Sequence, residues 1–162
     1  MPHIRKARPG DESGIHESHM RSIREICIHD HGEEEIKGWG YRELGTRWQD
    51  AVAKGDVWVV ESKNEIKGHA CISRKNQHEA HIDSLYLTPE VLGQGFGKDL
   101  LMLMLAKASD EKISSITLDS TLTAHQFYCS FGFIDTSTCQ TQLVGGYPVR
   151  YFPMKYTFSE HS

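Results

Sequence analysis

The stretch PEVLGQGFGKDLL, residues 89–101, places glycines at three alternate positions, Gly93, Gly95 and Gly97, just before an apolar run. Three glycines are more than a tight turn needs, and glycine lets the backbone approach a ligand closely. If a helix begins here, its first N–H groups have no partner within the helix, and the helix dipole adds roughly half a positive charge. The stretch therefore predicts a loop that binds a phosphate group.

Strand and helix signals flank this loop. EAHIDSLYL (79–87) is typical of a strand, and Pro89 ends it because proline has no N–H to donate to a ladder. Downstream, apolar residues recur at helical spacing over about 98–109. Most of this helix circumference is apolar, so we expect the helix to be covered on most sides. A further strand is predicted at 115–118, which completes a β-α-β unit.

Two familiar phosphate loops do not match the spacing. A dinucleotide-binding loop needs G-x-G-x-x-G, and Lys98 or Leu100 stands at its third glycine, depending on which glycine is counted first. Asp119 lies roughly 20 residues after the loop, near the position expected for the acid that binds the ribose of a dinucleotide, so the dinucleotide-binding fold stays open as an alternative. A nucleoside triphosphate loop needs G-x-x-x-x-G-K-[ST], but the chain has one residue too few and Asp99 follows the lysine.

Length and composition limit the remaining possibilities. A chain of 162 residues without repeats or linkers predicts a single domain over 1–162. The net charge of −4 argues against a nucleic-acid or membrane partner. The start MPHIRKARPG lacks an apolar signal region, and the longest apolar run, 100–106, is too short to span a bilayer, so we expect a cytoplasmic protein. The four cysteines are widely spaced, which predicts reduced thiols.

The rest of the chain alternates short strand and helix signals. Together with the β-α-β unit they predict the α/β class. They comprise a strand near 3–7, a helix to about 28, a loop with a second short helix over 29–44, a hairpin over 56–74, a short helix over 123–130, and a last pair of strands around Gly145-Gly146.

Two motifs together carry a resemblance to a known family. The first is L-Y-L-T-P-E-x-x-G-x-G-x-G-K-x-L-L at 85–101, and the second is A-x-x-F-Y-x-x-x-G-F at 124–133. With looser matches at 4–11 and 57–68, the chain resembles the GNAT superfamily of acetyl-CoA-dependent N-acetyltransferases. The resemblance implies an α/β (α+β) domain with a mixed central sheet of about six to seven strands flanked by helices. It also implies two splayed strands that form the acyl-CoA cleft.

The resemblance puts the CoA site on the strand 79–87 and on the glycine loop. The family loop Q/R-x-x-G-x-G/A falls on Leu92, Gly95 and Gly97, so Leu92 departs from the pattern and backbone amides are expected to bind the diphosphate. The splayed strand is expected to pair with the pantetheine arm. The residues predicted to contact acetyl-CoA are Leu85, Tyr86, Leu87, Leu92, Gly93, Gln94, Gly95, Phe96, Gly97, Lys98 and Thr121.

Acetyl transfer to an amine calls for a base, because an alkylammonium with a pKa of about 10 rarely holds a free lone pair at neutral pH. His81 and Asp83 share one face of the predicted strand by its period of two. Some histone-type members of the family place a glutamate where this chain has His81, and an imidazole suits the same task. Asp83 is expected to orient His81 or to act through water. Which of the two is the base stays open.

The resemblance also assigns an acid. The second motif places Tyr128 next to the CoA sulfur, where a phenol donates a proton to the leaving thiolate. A backbone N–H of Leu85 or Tyr86 is expected to polarise the thioester carbonyl. The predicted enzyme is therefore an N-acetyltransferase that moves acetyl from acetyl-CoA to a primary amine by direct attack. The alternative is a catalytically idle acyl-CoA-binding sensor or partner-binding module, which Leu92 and Thr121 favour.

The acceptor side is expected to form from the first two helices and the last hairpin. Acidic and aromatic residues between 27 and 48 suit a cationic amine, although the run Glu33–Glu35 is itself typical of a solvated helix start. We expect a small-molecule or peptide amine as the partner, and a monomer or homodimer. Ten histidines raise the question of a metal, but their spacings give no set of four ligands, so none is predicted.

Overall fold

The computed structural model describes residues 1–159 and shows a mixed sheet of eight strands with helices packed against it. The strands are β1 (His3–Lys6), β2 (Val57–Ser62), β3 (Glu65–Arg74), β4 (Glu79–Leu87), β5 (Ser115–Ser120), β6 (Ile134–Asp135), β7 (Gln140–Val144) and β8 (Tyr147–Thr157). The helices are α1 (Glu12–Glu25), α2 (Glu33–Trp39), α3 (Arg47–Ala53), α4 (Phe96–Asp110) and α5 (His125–Ser130). The predicted mixed α/β sheet is confirmed, with eight strands where six to seven were expected.

The strand order is β1-β2-β3-β4-β5-β8-β6, and β7 pairs with β8 outside this path. The β2–β3 hairpin turns at Lys63 and Asn64, whose φ angles are 54° and 63°, and the β7–β8 hairpin turns at Gly145 and Gly146, with φ of 58° and 84°. Two residues with positive φ give the tight turn that matches strand twist. Both hairpins were predicted at these positions. The long crossover through α4 makes β4 and β5 the parallel pair.

Helices cover both faces of the sheet. Neighbouring residues of β2 point to opposite faces, so Val60 packs in the cluster that contains α4 side chains, and Val59 packs in the cluster of α1 and α3. Met102 and Leu103 of α4 remain 37% and 39% exposed, so the expectation that this helix is covered on most sides is wrong for that face. Within residues 1–159, every helix is too short or too polar to cross a membrane.

The centre of the sheet is split. β4 and β5 pair over only four positions, and the last pair is Ile82 with Leu118. β4 then bulges at Asp83, because consecutive residues of β3 pair with Ile82 and with Ser84. Beyond the bulge, β4 continues to Leu87 without a partner on β5. The two strands therefore diverge from Asp83 onward and leave a wedge between them.

Candidate active site

A cavity of about 330 Å³ lies where this wedge meets the glycine loop. All but two of the residues predicted to contact CoA line it, so the structure brings the strand, the loop and Thr121 together. The exceptions are Gln94 and Phe96. Gln94 is exposed and its Nε2 donates to the carbonyl of Glu90 at 3.0 Å, while Phe96 packs against the core. CoA contact by these residues stays a prediction, because a shared cavity does not identify its ligand.

The glycine loop is open toward solvent. Gly93 and Gly95 have φ of 78° and 89°, the left-handed region that glycine adopts without strain, and a Cβ built on either would meet no atom within 4 Å. Backbone conformation therefore requires these two glycines, whereas packing does not. At Gly97 a Cβ would lie 3.6 Å from the ring of Phe127, an ordinary contact.

Free N–H groups line the start of α4. The first backbone hydrogen bond there runs from the Asp99 N–H to the Gly95 carbonyl at 3.0 Å. Among residues 1–159, the N–H groups from Phe96 to Lys98 have no backbone acceptor, as is normal for a first turn. Leu92, 51% exposed, offers no polar group at the rim of the cavity. Anion binding here would rest on backbone donors and on the exposed Lys98.

Tyr128 lies at the far wall of the cavity. It is 5% exposed, and its ring packs between Phe127 and Phe133, with centroid distances of 5.3 and 5.5 Å. The predicted short helix α5 positions it, and the Tyr128 N–H bonds the Ala124 carbonyl at 3.1 Å. Burial raises the pKa of the phenol, so the hydroxyl stays protonated and able to donate in the neutral range.

Two more residues with polar side chains line the cavity, and the sequence analysis assigned a role to neither side chain. Burial raises the pKa of the Cys27 thiol to about 12, and it likewise raises the pKa of the Tyr86 phenol. Both residues line the cavity beside Tyr128. Of the two, only Tyr86 was predicted to contact CoA, and the predicted contact was through its backbone in the splayed strand. Its ring packs against that of His19, with the centroids 4.3 Å apart.

The two candidate bases lie in different surroundings. Asp83 lines a narrow crevice of about 30 Å³ between the diverging strands, together with Asp119 and Tyr128. His81 belongs to the paired part of β4, where its Nδ1 lies 2.8 Å from Oγ1 of Thr117, and it lines neither space. The structure thus brings Asp83 near the predicted acid and leaves His81 bonded to the neighbouring strand. Neither assignment as a base is tested by this geometry.

An ion pair between the buried Glu35 and the half-exposed Arg150 joins α2 to β8. Glu35 accepts from Nη2 of Arg150 at 2.7 Å, from the Arg150 N–H at 2.8 Å and from His31 Nδ1 at 2.9 Å. Burial raises the pKa of Glu35, but these bonds outweigh it and hold the pKa far below its usual range. Glu33 and Glu34 are exposed as expected, whereas the expectation of a solvated side chain is wrong for Glu35.

Two buried imidazoles lie on the α1 side of β4. His69 Nε2 is 2.6 Å from Oγ of Ser84, and the ring of His19 lies 5.2 Å from that of His69. Burial lowers the pKa of His69 to about 3 and that of His19 well below its usual value, so both are neutral. In the described part of the chain, no three His, Cys, Asp or Glu side chains converge as a metal site would require.

Residues 27–158 match the family model described as an acetyltransferase (GNAT) domain. The chain is 26% identical over 153 residues to the uncharacterized N-acetyltransferase YafP of Escherichia coli (strain K12), with 94% of each chain covered. A GCN5-related N-acetyltransferase structure from Rhodopseudomonas palustris aligns with a TM-score of 0.77 at 21% identity, covering 98% of this chain and 96% of that one. The PaiA N-acetyltransferase of Thermoplasma acidophilum, solved with coenzyme A, aligns with a TM-score of 0.76 at 19% identity, covering 98% and 99%. These two structures share the fold of this chain.

Proposed function

The chain belongs to the GNAT acetyltransferase family and is an acyltransferase, and from this premise we propose that it moves acetyl from acetyl-CoA to a primary amine. The acceptor is a small molecule or a peptide, and its amine attacks the thioester directly. The observation that carries the proposal is the split between β4 and β5, which opens a cavity bounded by the glycine loop at one end and by Tyr128 at the other. A cytoplasmic location, the extent of the domain over 1–162 and a monomeric or homodimeric state stay predictions.

The cavity fits acetyl-CoA by its own chemistry. The open space above Gly93 and Gly95, with the free N–H groups of the first turn of α4, suits a diphosphate. The edge of β4 beyond Ile82 has no strand partner, so its backbone groups suit the amides of a pantetheine arm. Acetyl-CoA supplies the activated acetyl group, and the chain's own residues orient it and move protons.

The proton leaving the amine needs an acceptor on the acceptor side of the wedge. Asp83 lines the crevice there, and we propose that it takes the proton through water, with His81 as the alternative base. The N–H of Leu85 or Tyr86 is assigned to the thioester carbonyl, where a preorganised donor stabilises developing negative charge. No side chain is needed for that step.

Tyr128 is assigned as the acid that donates a proton to the leaving thiolate. Burial raises the pKa of its phenol, which makes it a weaker acid in isolation. The same cavity also raises the proton affinity of a thiolate, because burial brings the neighbouring Cys27 thiol to a pKa of about 12. Burial therefore disfavours a thiolate here, so the leaving group needs a positioned proton donor, the role assigned to Tyr128.

A thiol-release assay with acetyl-CoA and a panel of primary amines tests the proposal. We expect turnover on at least one amine, with one free thiol released per amide formed. Binding of CoA without turnover on any amine would instead support the acyl-CoA-binding module. Mass spectrometry of the product identifies the acetylated nitrogen and separates transfer from hydrolysis of the thioester.

A further inference from the structure

Two aspartates stand at the fork of the sheet, one on each of the diverging strands. Ile82 and Leu118 form the last pair between β4 and β5, so Asp83 and Asp119 are the first residues beyond the paired region. Both aspartates line the narrow crevice of about 30 Å³ at the apex of the wedge. Asp83 is the candidate base there, whereas the proposed function gives Asp119 no role.

The two aspartate side chains lie on the same face of the sheet. Ile82 and Leu118 pack in the cluster that contains α4 side chains, so the next residue of each strand points to the opposite face. The position of Asp83 agrees, because its Oδ2 lies 3.9 Å from Sγ of Cys71, which belongs to the cluster of α1 and α3. Both carboxylates therefore lie on the α1 and α3 face, the side expected to receive the acceptor.

Neither carboxylate forms a salt bridge with residues 1–159, whereas Asp11 and Glu61 are both bound by Arg5. The Asp83 carboxylate accepts a weak hydrogen bond from the Cys71 thiol, and within the same range the Asp119 carboxylate accepts none. Both aspartates are exposed, so an acceptor can reach them from solution. Their oxygens are therefore free to accept N–H bonds from a ligand.

The basic side chains around the fork contact other groups. Nη2 of Arg47 lies 3.4 Å from the backbone carbonyl oxygen of Asp83. Nζ of Lys75 lies 3.4 Å from Oγ1 of Thr117, and Lys155 stands opposite Thr117 on β8. The two lysines thus belong to the paired part of the sheet. In the part of the chain that the structure describes, no basic nitrogen comes within 4 Å of either carboxylate.

A buried hydroxyl on the other face of the sheet also points to a ligand in this crevice. Tyr128 is 5% exposed and packs in the cluster that contains α4 side chains, and its hydroxyl forms no hydrogen bond with residues 1–159. A buried hydroxyl without a partner is costly, so such groups normally find one. Tyr128 lines both the crevice and the reaction cavity. A group in the crevice therefore lies between the two carboxylates and the assigned acid, at the site of transfer.

The size of the crevice limits the group that enters it. A water molecule needs about 10–15 Å³ of space, and the ammonium head of an alkylamine is of similar size. The crevice of about 30 Å³ therefore admits an ammonium group. It leaves little room for an amine that carries a carboxylate on the same carbon, and that second negative charge would also face the two aspartates.

We propose that Asp119, together with Asp83, binds the ammonium group of the acceptor, and that the acceptor is an alkylamine without a carboxylate beside its amino group. This inference rests on the proposed function. Asp119 holds the ammonium group through a charge-assisted hydrogen bond. The N–H proton then passes through water to Asp83, and the lone pair that it leaves on the nitrogen attacks the thioester carbon. An α-amino acid is disfavoured, because like charges at close range repel.

The test compares amines that differ only in a carboxylate. Acetyl transfer is measured on primary alkylamines and diamines, on the amino acids that yield them by decarboxylation, and on the matched amino acid amides. We expect the amine to exceed its parent acid in kcat/KM by about 10-fold or more, the range of one hydrogen bond to a charged group, with the amide between them. Amino acids that equal or exceed their decarboxylated amines would overturn the inference.

Variants connect the preference to Asp119. Asp119→Asn is expected to lower kcat/KM for the best amine about 10-fold, mainly through the KM of the amine, with the KM of acetyl-CoA unchanged. It should also narrow the ratio of amine to parent acid, because one repelling charge is gone, and Asp119→Glu should restore part of both effects. Asp110→Asn is the control, because Asp110 is exposed at the end of α4. An amine-to-acid ratio that Asp119→Asn leaves unchanged would contradict the assignment.

A binding measurement separates this inference from the proposed function. n-Butylamine and the neutral n-butanol are titrated into the CoA-loaded protein, which has no acetyl group to transfer, and ligand-observed NMR gives Kd for wild type and for Asp119→Asn. Tighter binding of the amine that Asp119→Asn removes supports the ammonium site even if no amine is acetylated, in which case the proposed function alone fails. Equal binding of amine and alcohol in both proteins, beside normal turnover, leaves the proposed function intact and removes the ammonium site.

Discussion

The backbone N–H of Leu122 donates a hydrogen bond to Nε2 of His31 over 3.0 Å. Because Nε2 accepts, the imidazole proton lies on Nδ1, which donates to Glu35 at 2.9 Å. A single neutral side chain therefore ties the start of α2 to the connection between β5 and α5. That connection carries Thr121 and Thr123, which line the cavity.

His31→Ala is expected to lower the free energy of unfolding by about 1–3 kcal/mol, because it leaves the half-buried Leu122 N–H without its acceptor and removes one of the hydrogen bonds that Glu35 accepts. It should also weaken CoA binding, since the connection that lines the cavity loses its support. Urea denaturation and CoA titration measure the two effects. His29→Ala is the control, because His29 is exposed two residues earlier. Equal behaviour of the two variants would show that the His31 bond does not hold the connection.

Glu35→Gln is expected to change how stability depends on pH. Burial raises the pKa of Glu35, but its bonds to Arg150, His31 and Gly32 hold the net value below the ordinary one. A carboxylate of this kind adds stability that is fully present above the unfolded pKa of about 4.3 and is lost as pH falls below it. The difference between wild type and Glu35→Gln in unfolding free energy should therefore be constant near neutrality and shrink in acid.

Urea denaturation at several pH values between about 3 and 8 measures that difference. Glu34→Gln serves as the comparison, because the Glu34 side chain is 68% exposed and its pair with Lys37 is screened by solvent. Its effect should be small at every pH. A Glu35→Gln difference that does not change between neutral and acidic pH would refute the proposed role of the ion pair.

Gly95→Ala is expected to weaken CoA binding, whereas Leu92→Ala is expected to change it by less than about twofold. A side chain at Gly95 meets no atom but strains a backbone with φ of 89°, at a cost of about 1–2 kcal/mol. Relief of that strain would turn the loop N–H groups away from the diphosphate. Leu92 offers no polar atom, so its side chain matters little.

Gly10→Ala is the matched control for this loop. Gly10 has φ of 105°, and a Cβ there also meets no atom within 4 Å, but it lies before α1 and outside the cavity. Calorimetric titration with CoA should give a loss of affinity for Gly95→Ala and none for Gly10→Ala, while both lower the melting temperature. Equal CoA affinity in the two variants would exclude a backbone cradle.

Tyr128→Phe keeps the packed ring and removes the hydroxyl. We expect kcat to fall about 100-fold or more, the range of a positioned acid, with CoA affinity nearly unchanged. Tyr156→Phe is the control, because its ring packs beyond Phe133 at 5.4 Å and does not line the cavity. Thiol release on the best acceptor is the measurement. Turnover that survives in Tyr128→Phe would remove this residue from the mechanism.

Local sequence predicted the parts of the site that depend on local backbone. A few consecutive residues were enough to predict the glycine loop, the helix that follows it and the second motif at Tyr128, because turn geometry and helix spacing are local properties. Their meeting around one cavity follows from the β-α-β topology. Leu92 was already visible as a departure, and the structure places its exposed side chain at the rim.

The acceptor side was predicted less well, because its residues are set by distant partners. His31 bonds a residue 91 positions away, and Glu35 bonds Arg150 at 115 positions. The bulge at Asp83 depends on the register with β3, so the simple period of two that paired Asp83 with His81 did not foresee it. Charge pairing and bulges of this kind have no short-range pattern in one sequence.

The four-residue seam between β4 and β5 divides the sheet into two half-sheets, β1–β4 and β5–β8. A ligand that fills the wedge bridges the halves with its own hydrogen bonds, and any ligand that binds only the folded chain stabilises it according to its concentration relative to Kd. The amides of Asp83–Leu87 that face the wedge gain a partner only when a ligand is bound, so they should exchange with solvent faster in the empty protein. Bound substrate thus acts as an additional strand between the two half-sheets, and its concentration relative to Kd determines how much it stabilises their association.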